Sequence, residues 1–277
     1  WQIAPHLSLM GRFALDTYKE QRQTKIAQSY SQQPRGGYGI INIGNLERNA
    51  DFLLNYDKTF GPLTLTASVG GNSRYNQGFI NSAATKDGAG LILPGLYTLQ
   101  NLSNTDIVYS SSLYKKAVNS VYGLVNLNFK DMVFLDVTGR NDWSSALPVQ
   151  NRSYFYPSSS ISALVNRIVK MPAAVSMLKV RGGIATTGND TGPYSLIPVL
   201  GIAEPWGSTT RLGQPGGLFN PNLKPEKATS YEGGIDLNLF EDKIRFIGTY
   251  YYVNNKDQIL TNQIPGSSGY TSQQFNA

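Results

Sequence analysis

Asn119-Ser-Val-Tyr-Gly-Leu-Val-Asn-Leu-Asn-Phe-Lys-Asp-Met-Val-Phe-Leu-Asp-Val-Thr-Gly-Arg-Asn-Asp142 alternates apolar and polar side chains on both sides of a break at Lys130-Asp131. Val121, Val125, Leu127, Val133, Leu135 and Val137 share one phase of a period of two, and Asp136, Arg140 and Asp142 share the other. A strand sends successive side chains to opposite faces, so the stretch predicts a hairpin with one apolar and one charged face. The same alternation recurs along the chain. It predicts strands near 7–16, 50–59, 63–71, 118–129, 132–142, 157–166, 177–187, 229–240 and 243–254, with a tenth at 257–264. Helical spacing is confined to a patch at 167–176, which Pro172 limits to a turn. The fold class that follows is all-β.

The connections between these strands alternate in length. Gly61-Pro62, Lys130-Asp131, 167–176 and Glu241-Asp242 are short, whereas 17–49, 72–117, 143–156 and 188–228 are long and rich in Gly, Pro, Asn, Ser and Tyr. A soluble sandwich has no reason to place every long loop at one end. Outer-membrane barrels have short periplasmic turns and long outer loops. The strand faces agree. Phe52, Leu54, Leu63, Leu65, Leu178, Val180, Ile184, Ile235, Leu237, Ile244 and Phe246 continue the apolar phase, while Arg12, Asp51, Lys179, Arg181, Glu232, Asp236 and Arg245 fall on the other. Lys58 is the exception, near a strand end where its ammonium can snorkel. A cation at the lipid midplane costs about 2 to 4 kcal/mol, so hydrocarbon enforces this segregation. Phe60, Phe129 and Phe240 each precede a short turn, where a periplasmic aromatic girdle lies in such barrels.

Composition narrows the function. Charged residues are 15% of 277, there is no cysteine, and His6 is the only histidine. Disulfide scaffolds, thiolate metal sites and cysteine nucleophiles are excluded, no metal-ligand cluster or Gly-x-Ser-x-Gly appears, and an enzyme is not expected. No cofactor is expected either. The net charge of +6 is spread over single residues, the longest basic run being Lys115-Lys116, so no nucleic-acid stripe forms. No run of apolar residues is long enough for a membrane helix. The chain opens on Trp1 without an export signal, and its nine or ten strands show neither a closing strand nor a plug. An unclosed barrel leaves bare edges in lipid, so an internal segment of a larger barrel is expected, with residues 1–277 forming part of one transmembrane domain.

Several motifs then resemble one family in order: Thr138-Gly-Arg-Asn-Asp-Trp-Ser-Ser-Ala-Leu-Pro148, Tyr154-Phe-Tyr-Pro-Ser158, Leu178-Lys-Val-Arg181 leading to Gly188-Asn-Asp190, Asn220-Pro-Asn-Leu-Lys-Pro-Glu226 with Thr229-Ser-Tyr-Glu232, and Tyr250-Tyr-Tyr252 with Lys256-Asp-Gln-Ile-Leu260. Together they resemble the SusC/RagA-like TonB-dependent transporters of the Bacteroidetes outer membrane. The motifs cover roughly 130–262, and the earlier residues fit by strand pattern alone. The resemblance implies a segment of a 22-stranded barrel with an N-terminal plug and a TonB box, neither of which is legible in these residues. It also implies coupling to TonB-ExbB-ExbD, a SusD-like surface lipoprotein as partner, and import of an oligosaccharide or peptide across the outer membrane. A non-transporting surface binding protein or adhesin is the alternative.

Two residue sets follow. Asp136, Arg140, Asp142, Lys179, Arg181, Glu232 and Asp236 share the polar phase and are expected to form a lumenal charge network, structural before it is ligand-binding. Sugars stack on aromatic rings and bind amides and carboxylates, which makes Trp143, Tyr154, Tyr156, Trp206 and Tyr97, with Asn189 and Asp190, the candidate substrate contacts. Pro221 and Pro225 fix the backbone of the Asn220 motif, which is expected to lead the chain from a loop into the next strand along one path.

Overall fold

The computed structural model describes residues 1–277 apart from the side chain of Glu204. The strands are β1 (Gln2–Ala4), β2 (Leu7–Ile26), β3 (Gly37–Phe60), β4 (Leu63–Thr85), β5 (Ile107–Phe129), β6 (Val133–Ser144), β7 (Ser153–Leu164) and β8 (Val175–Asn189). They continue with β9 (Gly201–Trp206), β10 (Thr209–Gly213), β11 (Gly217–Leu218), β12 (Glu226–Leu239), β13 (Ile244–Lys256), β14 (Ile259–Gln263) and β15 (Ser272–Asn276). A ten-stranded sheet runs in the order β1-β2-β3-β4-β5-β6-β7-β8-β12-β13. Strands adjacent in it are consecutive in sequence except where β9 to β11 are inserted before β12. This up-and-down order matches what the alternation predicted.

The register carries both faces across the sheet. Leu127 lies opposite Leu135, which lies opposite Ile161; Ala163 pairs with Val180, and Val180 with Ile235. Val137, Ile161, Val180 and Ile235 are 42%, 52%, 38% and 38% exposed, so these side chains of the face are left uncovered by the described residues. A contiguous exposed apolar surface of this kind belongs against lipid or a partner. Among the described residues few hydrophobic side chains are buried: Tyr38 at the start of β3 clusters with Leu91 and Leu102, and Ala89, Ala146, Leu147 and Leu223 are buried in the connections. A wall with hydrocarbon on one side has no interior to fill, which is why it lacks a core.

The chain divides into two compact units. One holds Trp1–Arg12, Ala50–Ser73 and Ala117–Ala277; the other holds Phe13–Asn49 and Arg74–Lys116. In the second unit the strands run further than the alternation predicted. β2 continues to Ile26 and β4 to Thr85, while β3 begins at Gly37 and β5 at Ile107. The connections are therefore 27–36, 86–106, 145–152 and 190–225, in place of 17–49, 72–117, 143–156 and 188–228. The physical reason is visible at Tyr18-Lys-Glu-Gln-Arg-Gln-Thr-Lys25, which is exposed throughout. A ribbon wetted on both faces needs no alternation, so periodicity is silent there. Side chains hold it instead: Arg22 donates to Glu20 at 2.6 Å and Gln21 to Asn42 at 3.0 Å.

Two further expectations are corrected. The tenth strand placed at 257–264 is β14, which belongs to a separate three-stranded sheet with β11 and β15; the wall's tenth member is the stub β1. The helical turn placed at 167–176 is α1 (Val165–Ile168), so Val165 leaves the strand it was assigned to. Asn166 accepts from the Leu178 N–H at 3.2 Å and so fixes that turn to the start of β8. The other short turns are where they were expected. Lys130 and Asp131 have φ of 52° and 53°, the doubly left-handed form that suits the twist of a tight hairpin. Asn128 braces it, donating to the Asp131 carboxylate at 2.6 Å. The Lys58 ammonium lies 5.1 Å from the Phe60 ring centroid, at the strand end to which it was expected to snorkel.

Candidate functional site

On the face opposite the apolar one, charged residues pair in short chains. Arg140 and Asp142 lie two apart on β6, and the Arg140 Nε donates to Asp142 at 2.8 Å while its second nitrogen donates to Ser120 at 2.8 Å. The Tyr156 hydroxyl donates to the other Asp142 oxygen. Asp142 is buried, and with a guanidinium and a phenol donating to its two oxygens the buried charge is compensated. The Arg140 guanidinium also stands 5.5 Å from the Tyr122 ring centroid. Nearby on the sheet, Asp51 accepts from Arg12 at 3.0 Å and from Asn72 at 2.6 Å.

A second chain crosses three strands. Arg181 on β8 donates to Asp236 on β12 at 2.8 and 3.0 Å, and to Thr249 on β13 at 2.6 Å, with Glu232 at 3.8 Å. Gly234 is the register partner of both Arg181 and Thr249. A Cβ there would come within 2.6 Å of the guanidinium, so glycine is what lets this side chain lie flat across β12. Asp136 accepts from Ser160 at 3.4 Å. Of the residues expected to form a charge network, Arg140 bonds Asp142, Arg181 pairs with Asp236 and Glu232, Asp136 accepts from Asn126 and Ser160, and Lys179 lines the recess beside Arg181, Asp136 and Glu232.

Above the Arg140 cluster the quoted motifs dock on one another. Leu223, inside Asn220-Pro-Asn-Leu-Lys-Pro-Glu226, is fully buried, and Ala146 and Leu147 from the Thr138–Pro148 motif are buried as well. Asn151 donates to the carbonyls of Asn222 and Leu223 at 3.0 and 3.1 Å, and Gln150 to Pro221 at 3.3 Å. Ser144 donates to Asp190. The Glu226 carboxylate accepts from Asn189 at 2.9 Å and from the Ile259 N–H at 2.8 Å, while Asn276 clamps both backbone groups of Lys224 at 2.9 Å. The Asn220 motif therefore does more than guide the chain into β12. It closes the loop of 190–225 onto the loop of 145–152.

The substrate candidates separate accordingly. Tyr154 and Tyr156 stack with centroids 5.8 Å apart, beside Asp142 and Asp190, and Asn189 and Asp190 are already bonded to Glu226 and Ser144. Trp143 is not with them, because its odd position on β6 sets it on the face of Val137 and Leu135, away from Asp142. Trp206 is on the β9–β10 hairpin and 78% exposed. Tyr97 belongs to the second unit, packed against the cluster of Tyr38, Leu91 and Leu102 with the Lys25 ammonium 5.7 Å from its ring centroid. Sequence reasoning missed Ser120, Ser144, Asn151 and Asn276. The one available signal was Leu223, an apolar residue isolated inside a polar, proline-flanked motif.

The family model for the TonB dependent receptor-like β-barrel matches residues 7–277. The chain belongs to this family. Its members are receptors and transporters of the outer membrane rather than enzymes, and the protein is accordingly an outer-membrane barrel protein. The chain is similar to TonB-dependent receptor P26 of Formosa agariphila, 27% identical over 86% of this chain and 24% of that protein. It is also similar to TonB-dependent receptor SusC of Bacteroides thetaiotaomicron, 23% identical over 97% of this chain and 27% of that protein. Among solved structures, the RagAB peptide transporter matches with a TM-score of 0.86 at 20% identity, covering 99% of this chain and 31% of that one. That likeness shows the fold alone. The chain spans about a quarter of the length of the curated relatives it matches.

Proposed function

We propose that these residues form part of the wall of a TonB-dependent importer that moves an oligosaccharide or peptide across the outer membrane, energised through TonB-ExbB-ExbD and served by a SusD-like surface lipoprotein. The observation that carries the reading is the two-faced receptor-family sheet, with an apolar face free for lipid and a hydrogen-bonded charged face for an aqueous lumen. Within it the Arg140 and Arg181 clusters brace the wall. Ligand contact falls to groups with an uncommitted surface, first of all the exposed Trp206 ring, since Asn189, Asp190 and the Tyr156 hydroxyl are spent on internal bonds. The peptide alternative draws support from the likeness to the RagAB peptide transporter, and the oligosaccharide alternative from the family resemblance of the quoted motifs.

The test uses the full-length receptor in its own outer membrane. Uptake of labelled oligosaccharides and labelled peptides is measured with the gene deleted, restored, and restored in cells lacking TonB. Import predicts uptake of one class only when both receptor and TonB are present. Surface capture that persists without TonB, with no uptake in any strain, marks a binding protein instead.

A further inference from the structure

On the apolar face, β12 and β13 carry a graded column of cross-strand pairs. It rises from Leu239↔Ile244 at the short-turn end through Leu237↔Phe246 and Ile235↔Gly248 to Tyr231↔Tyr252, then Thr229↔Asn254, and finally Lys227↔Lys256. The pairing runs unbroken, so every one of these residues points to the same side. At about 3.4 Å per residue and a strand tilt of about 35–45°, the climb from Leu239 to Lys227 amounts to roughly 30 Å along the membrane normal. The outward apolar band of such barrels is about 25 Å tall and is bordered by aromatic residues. Tyr231 and Tyr252, with centroids 6.3 Å apart, fall at that border. The two lysines fall just above it, at the depth of the lipid headgroups on the long-loop side.

Directly opposed lysines repel, and a cross-strand pair of like charge destabilises a sheet unless something offsets it. No described residue does so. Both lysines are exposed, and neither has an ion-pair partner among the described residues. Glu226 sits one residue away on the opposite face with its carboxylate bonded to Asn189 and Ile259, and Asp257 borders the adjoining recess with Lys224 and Lys227 without pairing. We propose that Lys227 and Lys256 together bind the phosphate of an outer-leaflet lipid, whose chains lie down the column over Tyr250, Phe246 and Ile235. A phosphate carries the charge to relieve both ammonium groups at once and the oxygens to accept from each. The headgroup is fixed by the lysines and the chain by the apolar rows below.

The experiment takes the full-length receptor in detergent and titrates it, by native mass spectrometry, with diphosphoryl lipid A, with the same lipid dephosphorylated, and with inorganic phosphate alone. The wild type is expected to hold the phosphorylated lipid, and the Lys227→Gln/Lys256→Gln variant to bind it about thirtyfold more weakly, since each lysine near a charged lipid surface contributes about a fivefold factor. The Lys227→Arg/Lys256→Arg variant is expected to bind like the wild type. Equal binding of phosphorylated lipid by the Gln variant overturns the proposal, as does equal binding of the dephosphorylated lipid by the wild type. Binding of inorganic phosphate as tight as that of the lipid also overturns it, by removing the role of the chains. Heat-modifiable migration of each variant confirms that its barrel has formed.

Discussion

Replacement of Leu223 by alanine is expected to open the junction between the loop of 190–225 and the loop of 145–152. Leu223 is fully buried, and truncating a buried leucine costs about 2 to 5 kcal/mol because the cavity collapses only in part. The loss falls locally. The wall strands keep their own ladders, and what loosens is the contact made by one leucine and a few side-chain bonds from Asn151 and Gln150. A local opening free energy lowered by about 3 kcal/mol raises the open population on the order of a hundredfold. Limited proteolysis of the full-length receptor then cuts within 191–219 much faster in Leu223→Ala than in the wild type, with the heat-modifiable barrel unchanged. Equal cleavage rates mean that the junction is not held by this side chain.

The second large effect concerns the apolar face. Val180→Arg is expected to destabilise the folded protein in lipid by about 2 to 4 kcal/mol, the cost of a cation at mid-depth on a barrel's outer face. Val180 lies between Ala163 and Ile235, far from either border of the column. Its neighbour Lys179 shows that β8 tolerates a cation on the other side, where the recess of Asp136, Arg181 and Glu232 receives it. Ser160→Arg, on that side, is the matched control and is expected to change stability little. Denaturant unfolding of the full-length receptor in vesicles reads both variants. Equal effects of the two would remove the distinction between faces.

These two substitutions also mark what the sequence made legible. The wall near Val180 was readable because lipid on one side and water on the other impose a period of two, so that Leu135, Ile161 and Ile235 sort themselves from Asp136, Arg181 and Asp236. Where both sides are wet the period vanishes, and the outer reach of β2 was read as a loop for that reason. The stub β1 and the displaced β14 escaped for another: a short strand's partner is chosen by the rest of the sheet rather than by its own side chains. At the candidate site the sequence reading set Tyr154 and Tyr156 with Trp143 by residue type, whereas strand parity puts both tyrosines on the face of Arg140 and Asp142 and Trp143 on the other. The docking of Leu223 was not readable, since it joins segments some seventy residues apart whose polar composition resembles any surface loop. The motif was visible as a unit. Its partner was not.

The account rests on hydrocarbon touching the side of the sheet that carries Leu135, Ile161 and Val180. Spin labels placed singly at those positions, and at Ser160 and Gly183 on the reverse side, answer this in full-length receptor reconstituted into vesicles. Collision with dissolved oxygen is predicted to dominate at the first three, and collision with a water-soluble nickel chelate at the last two. Labels at Leu135, Ile161 and Val180 that meet the chelate and are shielded from oxygen would contradict it.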